Sequence, residues 1–316
     1  NAAATNITIP STLSAGFRCT LVQNGTSSVI AGAGTGVTLN AIGGKYATEG
    51  QYAAMRIIPV GTNSYVLSGS LAVPPYSNTY SLDFDGTNDY IVGTGSTLTV
   101  GTVSCWFYND VSISSATTTQ VIFNQGGSDF GIALGGGNLA YVTNELIGMQ
   151  YNSSNFAYTS ATDTISVGWH HVMIAWVSNS STNSGSAGYD IWLDGVKVGN
   201  DSGSSGTITS SPDTLDSAGF YLGQRGAADP GYRPFNGKID EFALWTGDVS
   251  GDIANIYNGG NGAVDLSDSA VVGTAPNIWW RMGDNDGGSG ATTITDQGSA
   301  GVDGSINGAT IVTDTP

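Results

Sequence analysis

The sequence predicts an all-β chain, a small amino-terminal β domain followed by a larger sandwich, and two observations carry most of that prediction. From Trp169 to Gly199, WHHVMIAWVSNSSTNSGSAGYDIWLDGVKVG, two alternating strands flank a Ser/Gly/Asn loop, and a third strand follows Asp194-Gly195. His171, Met173 and Ala175 point one way, and Val172, Ile174 and Trp176 the other. Apolar residues on both faces mark a sheet covered on both sides. Asp-Gly between alternating runs signals a hairpin, because a type I′ turn needs positive φ at both central residues. The second observation is composition. Glycine contributes 47 of 316 residues and charged residues only 10%. Ser, Thr, Asn and Gly in place of Lys, Glu and Arg suit a β protein with many tight turns.

The elements follow in order. Residues 6–9, 16–22, 28–31, 36–39, 53–60 and 64–67 read as short strands, broken by Asn24-Gly25 and Gly43-Gly44, with Asn63 in a turn. Their even spacing indicates a small sandwich or barrel over 1–72, read as an assembly or anchoring module. Pro74-Pro75 cannot join a central strand, so 73–79 is read as a linker. The second domain spans 80–316. Tyr80, Leu82 and Phe84 alternate with Ser81, Asp83 and Asp85 before the Asp85-Gly86 turn. Strands follow at 102–108, 120–124, 130–134, 138–143, 220–223 and 238–245. One helix is expected over 250–257, capped by Ser250 and ended by Gly259. In the tail, 276–316, Ile278–Met282 and Ser305–Val312 read as two more strands, since loops rarely carry paired tryptophans.

Composition excludes several functions. The 25 acidic and 8 basic residues give a net charge of −17, which repels phosphate backbones and argues against nucleic-acid binding. No apolar run reaches 18 residues, so no membrane insertion is expected. Cys19 and Cys105 fall in separate apolar runs, and buried free thiols are favoured over a disulfide. The chain opens at Asn1 without Met or a signal pattern, which reads as a processed product or a segment of something longer.

From about 80 to 262 the order of motifs resembles the laminin-G-like, or concanavalin-A-like, lectin jelly roll. The pieces are SLDFDGTNDYI from Ser81, VSCWF from Val103, GWHHV from Gly168, IWLDG from Ile191 and FNGKIDE from Phe235. The tail departs from the usual order. Trp280–Asp284, Ile294–Ser299 and Gly304–Ala309 look like the segment that normally opens such a domain. Either the domain is circularly permuted, with 276–316 supplying the opening strands, or a second copy is cut short. Permutation is favoured, because a half-domain would expose strand edges and Trp279/Trp280. Short amino-terminal pieces, LVQNG from Leu21, GVTLN from Gly36, QYAA from Gln51 and YVLSG from Tyr65, resemble segments of tailed-bacteriophage structural proteins.

Chemistry is sparse. Retaining β-glucan hydrolysis needs two carboxylates on one face about 5–5.5 Å apart. Asp240 and Glu241 are adjacent and, on a regular strand, point to opposite faces. His170 and His171 diverge likewise, with no Ser, Cys or third ligand spaced for zinc or a nucleophile relay. No catalytic residue is assigned. Most aspartates read as turn formers, while Ca²⁺ is the one credible ion. Its candidate ligands are Asp85, Asp89, Asp240, Asp284 and Asp296, near positions where related domains hold a structural Ca²⁺. Candidate glycan-facing aromatics are Tyr151, Phe156 and Tyr158 in one polar loop, and Tyr232 and Phe235 in another. Solitary loop aromatics more often cover a sandwich edge.

The resemblance implies a non-enzymatic virion structural protein on the virion surface, a tail or head fibre or a capsid decoration. It would be a homo-oligomer among other virion proteins, displaying a lectin-like domain to host glycans. The alternative is a secreted or cell-surface bacterial adhesin or carbohydrate-binding module.

Overall fold

A computed structural model describes all residues except 1–4, 15, 43–44, 73–75, 111–118, 126–129, 136–145, 153–154, 162–164, 179–187, 199–200, 206–211, 218 and 227–232. The chain divides into two compact units, Asn1–Ser77 and Asn78–Pro316.

The first unit has strands β1 (Thr5–Ile9), β2 (Cys19–Val22), β3 (Val29–Ala33), β4 (Thr38–Asn40), β5 (Ala47–Thr48), β6 (Ala54–Gly61), β7 (Ser64–Gly69) and β8 (Leu71–Ala72). They form two four-stranded sheets, β1-β3-β5-β8 and β2-β6-β7-β4. Met55 and Ile57 of β6, Tyr65 and Leu67 of β7, Ile9 and Ala31 make a small core. The β6–β7 hairpin turns at Asn63, whose φ is +50°. Strands β5 and β8 have two residues each, too few to show any alternation in sequence.

The second unit contains β9 (Ser81–Asp85), β10 (Tyr90–Gly93), β11 (Thr102–Asn109), β12 (Gln120–Gln125), β13 (Phe130–Leu134), β14 (Leu146–Asn152), β15 (Asn155–Ala161), β16 (Gly168–Val177), β17 (Gly188–Leu193), β18 (Val196–Val198), β19 (Asp201–Ser205), β20 (Phe220–Leu222) and β21 (Asn236–Trp245). Helix α1 (Ile253–Tyr257) follows, then β22 (Ile278–Trp280), β23 (Thr293–Ile294), β24 (Gly304–Asn307) and β25 (Thr310–Val312). One sheet runs β19-β15-β14-β13-β12-β20-β10-β24-β23, the other β18-β17-β16-β11-β21-β9-β25, with β22 added on β21. The architecture is the all-β jelly-roll sandwich that the sequence predicts.

The two sheets meet through aromatic side chains. Phe220 of one sheet lies 5.1 Å from Trp280 and 6.1 Å from Phe242 of the other, and Phe123 lies 5.5 Å from Phe242, centroid to centroid. Such large rings dominate core energetics. Val172, Ile174, Tyr189 and Ile191 join this core, while His171, Met173 and Asp190 are buried on the opposite face. The hairpin between β17 and β18 turns at Asp194 (φ +50°) and Gly195 (φ +76°), as a type I′ turn requires. The tail enters both sheets: β24 pairs with β10, β25 with β9 and β22 with β21.

Three local expectations are corrected. Tyr151, Phe156 and Tyr158 lie on β14 and β15, an antiparallel hairpin, rather than in a loop. Both strands do alternate, Met149 and Tyr151 with Gln150 and Asn152, and Phe156 and Tyr158 with Asn155 and Ala157, but the Asn/Ser run 152–155 makes the whole stretch read as a loop. The helix begins with a 3₁₀ turn at Ser250–Asp252, and Ser250 is not its cap. Instead Asp248 Oδ1 accepts the Ser250 N–H at 2.9 Å. Asn258, at φ +55°, ends it. The strand expected at 138–143 lies outside the described residues. Cys19 and Cys105 are free thiols, and burial pushes the Cys105 pKa up.

Candidate functional site

Both outer faces of the sandwich carry polar side chains, and they differ in what covers them. On the eight-stranded sheet, β21 buries Ile239, then Phe242 and Leu244, in the core. Inward residues three apart require a bulge. The ladder indeed slips between Ser104, opposite Ala243, and Trp106, opposite Asp240, and Glu241 takes φ +50°. Asp240 and Glu241 therefore both face outward, which corrects the expectation of opposite faces.

Glu241 accepts the Trp279 indole N–H at 2.5 Å and pairs with Arg281 Nε at 3.2 Å. Asp240 accepts the Asn78 amide at 2.7 Å and the Glu241 backbone N–H at 2.8 Å. Burial first, and then the charge of Glu241, raise the Asp240 pKa well above the usual carboxylate range. Ile256, Ala263, Val264 and Leu266 cover this face and leave a cavity of about 10 Å³ beside Ser104, Trp106, His171 and Glu241. That space suits one water. A sugar ring cannot enter between these carboxylates.

The histidines have partners after all, which corrects the expectation of no serine in reach. His171 Nε2 lies 2.8 Å from Ser104 Oγ, and complete burial lowers its pKa to about 4, so it is neutral at pH 7. His170 Nδ1 lies 2.7 Å from Asp194 Oδ2, and its Nε2 lies 3.1 Å from Ser166 Oγ. This chain has the order of a nucleophile relay. Nε2, however, also faces the Ser166 carbonyl at 3.1 Å. Burial alone would lower the His170 pKa, but the hydrogen bond and charge of Asp194, with the Ser166 carbonyl, raise it overall. A ring nitrogen that donates to that carbonyl cannot take the proton of the Ser166 hydroxyl. Asp194 Oδ1 also accepts the His171 N–H at 2.9 Å. The set clamps β16 to the Asp194-Gly195 turn.

The five candidate Ca²⁺ ligands do not form one cluster, although Asp85 adjoins Asp89 and Asp284 lies near enough to Asp240 to raise its pKa. Asp85 Oδ1 accepts the Thr87 N–H, and Asp89 Oδ2 the Asp85 N–H. Asp284 Oδ2 accepts the N–H groups of Thr79 and Tyr80. Asp296 takes those of Trp279, Gly298 and Val302. Asp296 uses both oxygens on backbone amides, while Asp85, Asp89 and Asp284 each use one. Among the described residues, no three His, Cys, Asp or Glu side chains are grouped to hold a metal.

Of the candidate glycan aromatics, Phe235 is fully buried, edge-on to Phe84 at 6.0 Å, and so belongs to the core. Its loop position misled, because the residue that closes a loop often turns inward. Tyr232 lies outside the described residues. The β14–β15 register sets Tyr151 opposite Phe156 and Tyr158 opposite Met149; their side chains too lie outside the description.

The outer face of the nine-stranded sheet carries residues that sequence reasoning missed. Ile91, Phe220, Leu222 and Ile306 point inward, so Tyr90, Val92, Tyr221, Ser305 and Asn307 point out. Val92 stands between Tyr221 and Ser305, and Tyr90 opposite Asn307. The Tyr90 and Tyr221 rings are 6.0 Å apart. Tyr221 is buried, Tyr90, Val92 and Asn307 are half-buried, and Ser305 and neighbouring Thr293 are exposed. A half-buried tyrosine beside Asn307, with Ser305 and then Thr293 further across the sheet, offers one apolar platform with a few polar anchors. Tyr90-Ile91-Val92 is apolar throughout, so no alternation marks which side chains face out.

Residues 84–252 match the family model described as the concanavalin A-like lectin/glucanases superfamily. No curated protein matches the chain. Among solved structures, a candidate carbohydrate-binding protein from Bacteroides ovatus is similar over 98% of this chain and 96% of its own, at 16% identity and a TM-score of 0.52. A heptameric SAP-like pentraxin from Limulus polyphemus aligns over 57% of this chain and 82% of its own, at 13% identity and TM-score 0.35. A Trypanosoma rangeli sialidase aligns over 73% and 44%, at 10% identity and TM-score 0.30.

Proposed function

Because the chain belongs to the concanavalin A-like lectin/glucanases superfamily, we propose that its second unit is a non-enzymatic lectin-like domain that contacts glycans. One observation carries this reading. The outer-face carboxylate pair is held by Arg281, Trp279 and Asn78 beneath a cover, whereas the Tyr90 face combines aromatic and polar groups within reach of solvent. Stacking of a sugar ring on Tyr90, with hydrogen bonds from Asn307, Ser305 and Thr293, is binding chemistry without an acid–base pair. The tail is read as the opening strands of a circularly permuted jelly roll.

The chain's place is read as the surface of a bacteriophage virion, as a fibre or decoration whose first unit assembles with other virion proteins. A bacterial surface adhesin or carbohydrate-binding module fits equally, and the likeness to the Bacteroides ovatus protein over both units supports that second reading. A glycan array tests the contact, with reducing-sugar release as the control for turnover. Binding without turnover is expected, and sugar release would overturn the non-enzymatic reading. Mass spectrometry of purified phage particles decides the location.

A further inference from the structure

The two sheets of the second unit differ in charge. The eight-stranded sheet holds Asp83 and Asp85 in β9, Asp190 in β17, Lys197 in β18, and Lys238, Asp240 and Glu241 in β21. Of the nine strands of the other sheet, only β19, at the edge opposite β23, contains a charged residue, Asp201. No strand of the nine contains Lys, Arg or His.

The basic groups are committed elsewhere. Residues 78–316 hold five basic and 24 acidic residues, a net of −19. Lys197 pairs with Asp190 at 2.5 Å, Arg281 with Glu241 at 3.2 Å and Lys238 with Asp314 at 3.3 Å. Arg225 and Arg233 lie between β20 and β21 and have contacts of their own. The charges next to β10 and β24 in the chain are negative. Asp89 Oδ2 accepts the Asp85 N–H, and Asp303 Oδ1 the Asp296 N–H, each at 2.9 Å.

An uncharged row crosses the sheet beside Tyr90. Thr293 stands opposite Ser305, Ser305 opposite Val92, Val92 opposite Tyr221, and Tyr221 opposite Asn124. Cross-strand neighbours share a face, so hydroxyl, amide and aromatic groups line this row without a charge.

We infer that the Tyr90 face takes a neutral sugar and rejects carboxylated or sulfated ones. An anionic glycan is held where a Lys or Arg offsets its charge, best by the paired N–H groups of a guanidinium. On this face it meets no cation, and the field of a unit at −19 repels it. Like charges brought together suppress a wrong partner. A neutral sugar is indifferent to that field, and can lay its apolar face on Tyr90 while its hydroxyls bond to Asn307 and Ser305. This specificity rests on the glycan contact proposed above.

Titration of the full chain with a matched pair tests it: a neutral sugar bound on the array, and its uronic-acid counterpart, which adds one carboxylate. Between about 0.05 M and about 0.5 M salt, from weak to strong screening, the neutral sugar keeps its Kd within about twofold. The uronate binds at least about tenfold more weakly at the lower salt, and recovers part of that loss at the higher as repulsion is screened. Equal or tighter binding of the uronate, or an array whose bound glycans are all acidic, would overturn the inference and leave the lectin reading standing. An array with no bound glycan would overturn both.

Discussion

Adjacent histidines in this chain respond to pH with opposite sign. His170 has a raised pKa, so the stability it contributes is full below its unfolded value near 6.5 and is lost as pH rises through the folded value. His171 is buried and neutral, so it costs stability as pH falls from about 6.5 towards 4. His170→Gln therefore lowers the melting temperature more at pH 5.5 than at pH 8.5, and an equal cost at both would contradict the clamp. The aspartates give a second residue-scale expectation. At least one oxygen of each candidate ligand already accepts a protein N–H, so EDTA should leave the melting temperature unchanged; a fall would restore a Ca²⁺ site. The Asp194-Gly195 turn was legible in sequence because its chemistry is local. The partners of His170 and Asp296 were not, since they depend on which strands lie side by side.

Elements show the same divide. Long alternating strands such as β11 and β16 declare themselves by period two, and β5 and β8 are too short to do so. The bulge at Glu241 was invisible, because one extra residue is detectable only against its partner strand. Its consequence is large, for it turns a divergent pair of carboxylates into neighbours. The join between tail and sandwich rests on a close approach that can be tested. A Cβ at Gly308 would stand 1.9 Å from Asp89 Oδ1, at φ +82°. Gly308→Ala should then cost about 2 kcal/mol or more in chemical denaturation. A cost below about 0.5 kcal/mol would mean that the tail hairpin is not seated against the turn after β9.

Across the whole molecule, the order of five short motifs indicated the jelly roll, and paired tryptophans argued for a packed tail. Trp280 indeed fills the core and donates to the Val302 carbonyl, while Trp279 faces out and holds Glu241. What the sequence left hidden was the contrast between faces. Residues 246–275 carry no strong motif, yet Ile256 and Leu266 close the eight-stranded face. The nine-stranded face keeps Tyr90 and Asn307 within reach of solvent. Function follows from that contrast, and so does the decisive measurement. A glycan selected on the array should be titrated against the wild type and Tyr90→Ala, with melting temperatures recorded for both. The account predicts at least tenfold weaker binding by Tyr90→Ala with folding intact, the loss of one stacking platform. Unchanged affinity in the folded variant would contradict it.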